Sequence, residues 1–322
     1  MSTEELVEAR EQDAARGDGA APVSLQNTSR WYGNVVAVND VSFDLGAGIT
    51  GLLGPNGAGK STVLHMLAGL LKPSNGSVEI MGKAAWKNPE IYHAIGFVPE
   101  RESVYPFLTG FEFVRLSARL HGLDDPDAAA TRALEEVELL DVGSRASGGY
   151  SKGMKQRLKI AAAIVHRPSI LLLDEPFNGA DPRQRLRMMQ MLRQMAADGA
   201  TIVFSSHILE EVERLAENVL VIVSGRLAAS GDFHEIRRLM TDRPHTWRLR
   251  SSDDRRLAGA LIGQKPVFGV ELESDGLMVQ SSDLVAFSRV APYAAKTAGV
   301  TVYELSPTDE SLESVFSYLV QR

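Results

Sequence analysis

The tightest constraint on this chain is the run Gly54-Pro55-Asn56-Gly57-Ala58-Gly59-Lys60-Ser61-Thr62, which follows the apolar segment Ile49–Leu53 and precedes the helix-like Val63–Leu71. A strand, a turn of small residues and a helix let backbone N–H groups converge on an anion at the helix N-terminus. The run satisfies G-x-x-x-x-G-K-[ST] throughout. In that arrangement Lys60 reaches the β- and γ-phosphates of a nucleotide, and the Ser61 hydroxyl can ligate Mg²⁺. A glycine-rich turn alone would carry little weight. The complete order in a strand–loop–helix setting reads as a nucleotide-phosphate site lined by Asn56, Gly57, Ala58, Gly59, Lys60, Ser61 and Thr62.

Composition narrows the class. A chain of 322 residues, 44% hydrophobic and 23% charged, can bury a substantial core and suggests two domains. Its net charge of −7 argues against binding nucleic acid by phosphate neutralisation, but not against a small anionic ligand. No apolar run reaches the ~18–20 residues of a membrane helix, so any membrane role must come through a partner. Residues 1–22 carry Glu4, Glu5, Glu8, Glu11, Asp13 and Asp18 without an apolar segment. They read as a frayed or disordered leader, not a secretory signal. The absence of cysteine excludes disulfides and Cys–zinc sites and is compatible with a reducing cytoplasm.

Periodicity predicts an α/β protein on a largely parallel sheet. Val23–Leu45 alternates as strands around Tyr32-Gly33-Asn34. Strands are expected at Ser77–Met81, Ala94–Pro99, Ile170–Leu173, Thr201–Ser205 and Val219–Ser224. Helical patterning spans 108–140 and, after the Gly/Ser-rich Gly143–Gly149, Ser151–His166, giving a helical insertion at about 108–165. Further helices are expected at 182–197 and Leu209–Ala216. The pattern breaks near Arg237–Pro244. Beyond it, residues 245–322 read βαββαβ with a last helix at Asp309–Leu319, a small ferredoxin-like α+β appendage to a domain spanning 23–240.

Four further elements follow the phosphate loop in order. Ile170-Leu171-Leu172-Leu173-Asp174-Glu175 is an apolar strand delivering two carboxylates: Asp174 can hold the Mg²⁺ shell, and Glu175 can polarise the water that attacks a γ-phosphate. Tyr150-Ser151-Lys152-Gly153-Met154 opens a helix with Ser151 as its cap, although a plain capped helix would look the same. Asn178-Gly179-Ala180-Asp181-Pro182 is a tight turn into a helix. His207 follows a strand of the same sheet. Met188, Met189, Met191 and Met195 have no His or Cys nearby and read as packing residues. Lys152, Lys155, Arg157 and Lys159 read as a solvated or dimer-facing helix surface.

In this order the sequence resembles the ATP-binding cassette (ABC) ATPases of the P-loop NTPase fold: Walker A at 54–62, signature at 150–156, Walker B at 170–175, D-loop at 178–182 and switch histidine at 207. The resemblance covers roughly Val23 to Gly231. It implies that Tyr32 stacks on adenine and that Lys60, Glu175 and His207 are catalytic, with His207 touching the γ-phosphate. It also implies that Ser61, Asp174 and Glu100 serve Mg²⁺. Ser151 and Gly153 would contact ATP held by the other subunit of a head-to-tail dimer. Two departures stand out: Glu100 occupies the place of a Mg²⁺-sensing glutamine, and the signature reads Tyr-Ser-Lys-Gly-Met instead of Leu-Ser-Gly-Gly-Gln. Both variants, and the segment Ser311-Leu312-Glu313-Ser314-Val315-Phe316, are similar to ATPase subunits of bacterial exporters whose permease is a separate chain.

The expectation is therefore an ATPase using ATP and Mg²⁺, paired with a second ATPase subunit and with transmembrane permease subunits at the cytoplasmic face of the membrane, and without nucleic acid. Two alternatives stand beside it: a soluble ABC ATPase of DNA repair or translation, and a regulatory cassette that binds ATP without cycling. The first usually carries a coiled-coil insertion, zinc-binding cysteines or two cassettes, none of which is present here. Asp174, Glu175 and His207 count against the second, and Glu100 keeps it open.

Overall fold

Fourteen strands and eight α-helices account for most of the residues described by the computed structural model, which are 21–101, 103–232, 236 and 245–308. The acidic leader up to Ala20, the break at 237–244 and the expected helix at 309–319 lie outside them. Contacts divide the chain between Ser230 and Gly231.

In the first unit the order is β1 (Val23–Tyr32), β2 (Val35–Leu45), β3 (Gly48–Leu53), α1 (Lys60–Leu67), β4 (Asn75–Ile80), β5 (Lys83–Ala84), β6 (Ile95–Val98), α2 (Gly110–Leu120), α3 (Pro126–Glu136), α4 (Lys152–Ile164), β7 (Ile170–Asp174), α5 (Pro182–Ala197), β8 (Thr201–Ser206), α6 (Leu209–Leu215), β9 (Asn218–Val223) and β10 (Arg226–Gly231). Six of these strands form one sheet in the order β10-β9-β3-β8-β7-β6, with β3, β6, β7, β8 and β9 paired in parallel. Every residue of β7 and β8 is buried, which explains their unbroken apolar character.

The sequence reading anticipated this sheet but not a second one. β1, β2, β4 and β5 form a separate antiparallel sheet in the order β2-β1-β4-β5, and β10 had no counterpart in the expected elements. One hydrophobic cluster joins the two sheets through α1: Val63, Leu64, Met66 and Leu67 pack with Val23, Leu25 and Ile80 of the antiparallel sheet and with Leu52, Ile170, Leu172 and Leu220 of the parallel one. The phosphate-loop helix is thereby held from both sides.

The helical segment begins at a capping box in which Thr109 Oγ1 accepts from Glu112 N (3.1 Å) and Glu112 Oε2 accepts from Thr109 N (2.9 Å). Asp125 caps α3, Ser151 caps α4 and Asp181 caps α5. Met188 and Met189 are buried as packing residues. The basic run on α4 departs from expectation: Arg157 and Lys159 are buried, not solvated. Arg157 Nη1 donates to the carbonyls of Val137 (2.8 Å) and Glu138 (3.1 Å), and Lys159 Nζ donates to that of Pro99 (2.7 Å). Long cationic side chains were drawn inward by free carbonyls that only the tertiary structure reveals.

The second unit runs β11 (His245–Ser251), α7 (Asp254–Leu261), β12 (Val267–Glu273), β13 (Gly276–Ser281), α8 (Leu284–Ala298) and β14 (Val302–Pro307). Its antiparallel sheet has the order β12-β13-β11-β14, the ferredoxin-like arrangement expected from βαββαβ. Trp247, Leu249, Leu257, Leu277, Val279 and Phe287 form its own core.

Candidate ATP-hydrolysis site

The site collects at the C-terminal ends of β3, β7 and β8, where parallel strands deliver side chains to one edge of a sheet. β3 leads into the phosphate loop. Gly59, at the N-cap of α1, has φ +109°, and a Cβ there would lie 2.4 Å from the Ala37 carbonyl oxygen. No side chain caps α1, in contrast to α2 through α5. The N-terminal amides of that helix are thus left to an anion.

Asn56 and Gly57 are exposed, Ser61 and Thr62 half-buried, and Ala58 buried. Lys60 is 7% exposed, and its Nζ donates to Gly54 O (2.7 Å) and Pro55 O (3.3 Å), folding the ammonium over the loop it serves. Burial pulls the Lys60 pKa below the ordinary lysine value; the carboxylates of Glu175, Asp174 and Glu100 act in the opposite direction. The charges of three acids therefore act on one phosphate-loop cation.

At the end of β7 the two acids are organised by Ser205, a fully buried residue that sequence reasoning did not single out. Its Oγ donates to Asp174 Oδ1 (2.6 Å) and accepts from Glu175 N (2.9 Å). Glu175 sits at φ +50°, in the left-handed region, which costs a non-glycine residue about 1–2 kcal/mol. The bond from its amide to Ser205 helps hold that turn. Burial pushes the Glu175 carboxyl above the usual carboxylate range, against the hydrogen bond and charge of His207 and the charge of Lys60. His207 Nδ1–H donates to the same carboxylate, 2.9 Å from each oxygen. Lys60, Asp174, Glu175 and His207 are thus brought together.

Glu100 is exposed just beyond β6, close enough for its charge to act on Lys60. Tyr32 is 47% exposed at the end of β1, with the Arg30 guanidinium 4.7 Å from its ring centroid. Ser151 and Gly153 have no described hydrogen bond to the phosphate-loop cluster. Ser151 Oγ accepts from Met154 N (3.2 Å), and Gly153 is buried where a Cβ would meet Gly179 O at 2.9 Å and Gln184 Oε1 at 2.8 Å. Within one chain, Gly153 is what lets the start of α4 approach the 178–182 turn.

Among the described residues no three His, Cys, Asp or Glu side chains cluster closely enough to form a metal cage. The donors near Lys60 are hard oxygens: the Ser61 hydroxyl and the carboxylates of Asp174 and Glu100. Such a set suits Mg²⁺, which takes one or two protein oxygens and completes its shell with phosphate and water.

A phosphate loop between parallel strands, with a buried acid pair and a histidine just past the end of the neighbouring strand, defines a nucleoside triphosphatase. Residues 38–178 match the family model described as ABC transporter. The chain is 32% identical over 302 residues to the bacitracin transport ATP-binding protein BcrA of Bacillus licheniformis, covering 92% of this chain and 97% of that one. It is 38% identical over 222 residues to the Nod factor export ATP-binding protein I of Burkholderia orbicola (strain AU 1054), covering 67% and 72%. A solved dimeric ATP-binding cassette in a post-hydrolysis state with ADP and Pi superposes with a TM-score of 0.61 at 26% identity, covering 65% of this chain and 98% of that one. The chain belongs to the ABC transporter ATP-binding subunits, and is an ATPase of that family.

Proposed function

We propose that this ATPase drives export through separate transmembrane permease subunits, as a head-to-tail pair of cassettes enclosing two MgATP. The similarity to BcrA and to the Nod factor export protein, whose names state transport and export, supports that direction. The dimeric solved cassette supports pairing. No described helix is long and apolar enough to cross a membrane, so the permease would be another chain and this one would attach peripherally at the cytoplasmic face. Residues 23–240 would carry the ATPase chemistry and 245–322 an accessory role.

The observation that carries the mechanism is the His207–Glu175 contact beside Lys60. Tyr32 would stack on adenine. The loop amides of Asn56 through Thr62 and the Lys60 ammonium would hold the β- and γ-phosphates. Ser61, Asp174 and Glu100 would hold Mg²⁺, which supplies charge neutralisation on the phosphoryl oxygens. Glu175, raised by burial, accepts a proton from the attacking water as His207 orients its carboxylate and reaches the γ-phosphate. Ser151 and Gly153 would complete the site of the opposite subunit.

The test is Glu175→Gln. It should retain ATP affinity and lose turnover by about 10²-fold or more, the usual scale for a general base. A rate near that of the parent would remove Glu175 as base. Purified from gently solubilised membranes with ATP, the same form should retain a multi-helix membrane protein in stoichiometric amount. Soluble, ribosomal or DNA-bound partners alone would overturn the transport reading.

A further inference from the structure

Lys159 lies in the interior of α4, only 6% exposed, and is not part of the chemistry above. Its ammonium donates to three successive backbone carbonyls across the structure: Pro99 O at 2.7 Å, Arg101 O at 3.2 Å and Glu100 O at 3.4 Å. Those carbonyls belong to the segment leaving β6, whose described residues lie in no helix or strand before α2. Irregular backbone must find hydrogen-bond partners outside regular structure, and a lysine ammonium has three N–H groups to give. The Glu100 side chain, by contrast, is exposed and acts electrostatically on Lys60. The backbone of residue 100 is thus clamped from α4 while its carboxylate is left to the phosphate site.

We propose that Lys159 is a positioning residue: it fixes the 99–101 segment to α4 so that the Glu100 carboxylate is presented to the metal of the nucleotide. The metal half of this inference rests on the role proposed above for Glu100. None of the hydrogen bonds described for Lys159 reaches a reacting group; all three run to the 99–101 segment. A neutral side chain of similar length would leave three carbonyls without their shared donor.

The test compares the full-length parent with Lys159→Met, Glu100→Ala and the double variant. Peptide-resolved amide hydrogen exchange is measured without nucleotide, and Mn²⁺ affinity is measured by electron paramagnetic resonance with a non-hydrolysable ATP analogue. Loss of charge-assisted bonds in Lys159→Met should speed exchange in the Gly96–Arg101 peptide by about tenfold, with β7 unchanged, and weaken Mn²⁺ binding several-fold. Glu100→Ala should weaken Mn²⁺ comparably without altering exchange. The double variant should bind Mn²⁺ no more weakly than Glu100→Ala, because residues acting through one group are not additive. Unchanged exchange in Lys159→Met, or a double variant whose loss is the product of the single losses, overturns the proposal. If Glu100→Ala leaves Mn²⁺ affinity intact, the metal role of Glu100 falls and takes the metal half with it; exchange then decides the anchor alone. Lys159→Gln, which keeps two donors, should fall between parent and Lys159→Met, and it carries the same comparison if Lys159→Met fails to fold.

Discussion

At the scale of single residues, opposed effects on Glu175 set a pH dependence whose sign can be worked out. Burial is the largest influence and raises its pKa above the ordinary 4.5; the His207 hydrogen bond and charge lower it. A general base must be deprotonated, so the acid limb of kcat/KM should lie above the ordinary carboxylate value. Removing His207 deletes a lowering influence and leaves burial in place. In His207→Ala the limb should therefore move to higher pH, while the rate falls through lost orientation of the carboxylate. A pH–rate profile checks this, and a limb that stays put or moves to lower pH would contradict the coupling. The geometry behind it was only partly legible in the sequence. Asp174, Glu175 and His207 belong to elements that follow the phosphate loop in a fixed order, but Ser205 is a serine on a buried strand, and nothing local marks it as the group that bridges both acids.

Whole elements were legible where periodicity was long and the caps conventional. Helix 182–197 is bounded by Asp181, Pro182 and the turn at Asp198, and appears as expected. What sequence could not supply was partnership between elements: the pairing of β1 with β4, or the carbonyls that draw Arg157 and Lys159 inside. A further case joins α2 to the end of α4. His121, at the C-cap of α2, stacks on His166 with centroids 3.6 Å apart and planes 8° from parallel. Burial, with the adjacent His121, pulls the His166 pKa from 6.5 down to about 4, against the hydrogen bond of its Nε2–H to Ile95 O. Between those values the unfolded chain binds a proton that the folded chain excludes. The contribution of His166 to stability is therefore complete above about 6.5 and declines as pH falls toward 4. His166→Gln retains an amide donor for Ile95 and has nothing to titrate. Denaturant unfolding of this variant should show a flatter loss of stability across that window than the parent; an equal slope would place the titration elsewhere.

At the scale of the whole molecule, two hydrophobic clusters have no residue in common, one centred on α1 and the other on Phe287. The second unit is small, and small cores have little margin. Phe287 is fully buried, its ring 5.0 Å from that of Trp247. Truncating such a side chain removes about 3–5 kcal/mol, a large share of what a unit of this size holds. Phe287→Ala should therefore lower the melting of residues 245–308 sharply. The transition of the ATPase unit and its basal hydrolysis should change little, because none of Lys60, Asp174, Glu175 or His207 lies in that cluster. Differential scanning calorimetry of the parent and the variant separates the outcomes. One transition moving while another holds would mean that the C-terminal unit is thermodynamically its own domain, free to serve as a regulatory or dimer contact. A single transition moving as a whole, with hydrolysis falling alongside, would mean that the ferredoxin-like unit helps hold the cassette together and that ATP chemistry depends on it.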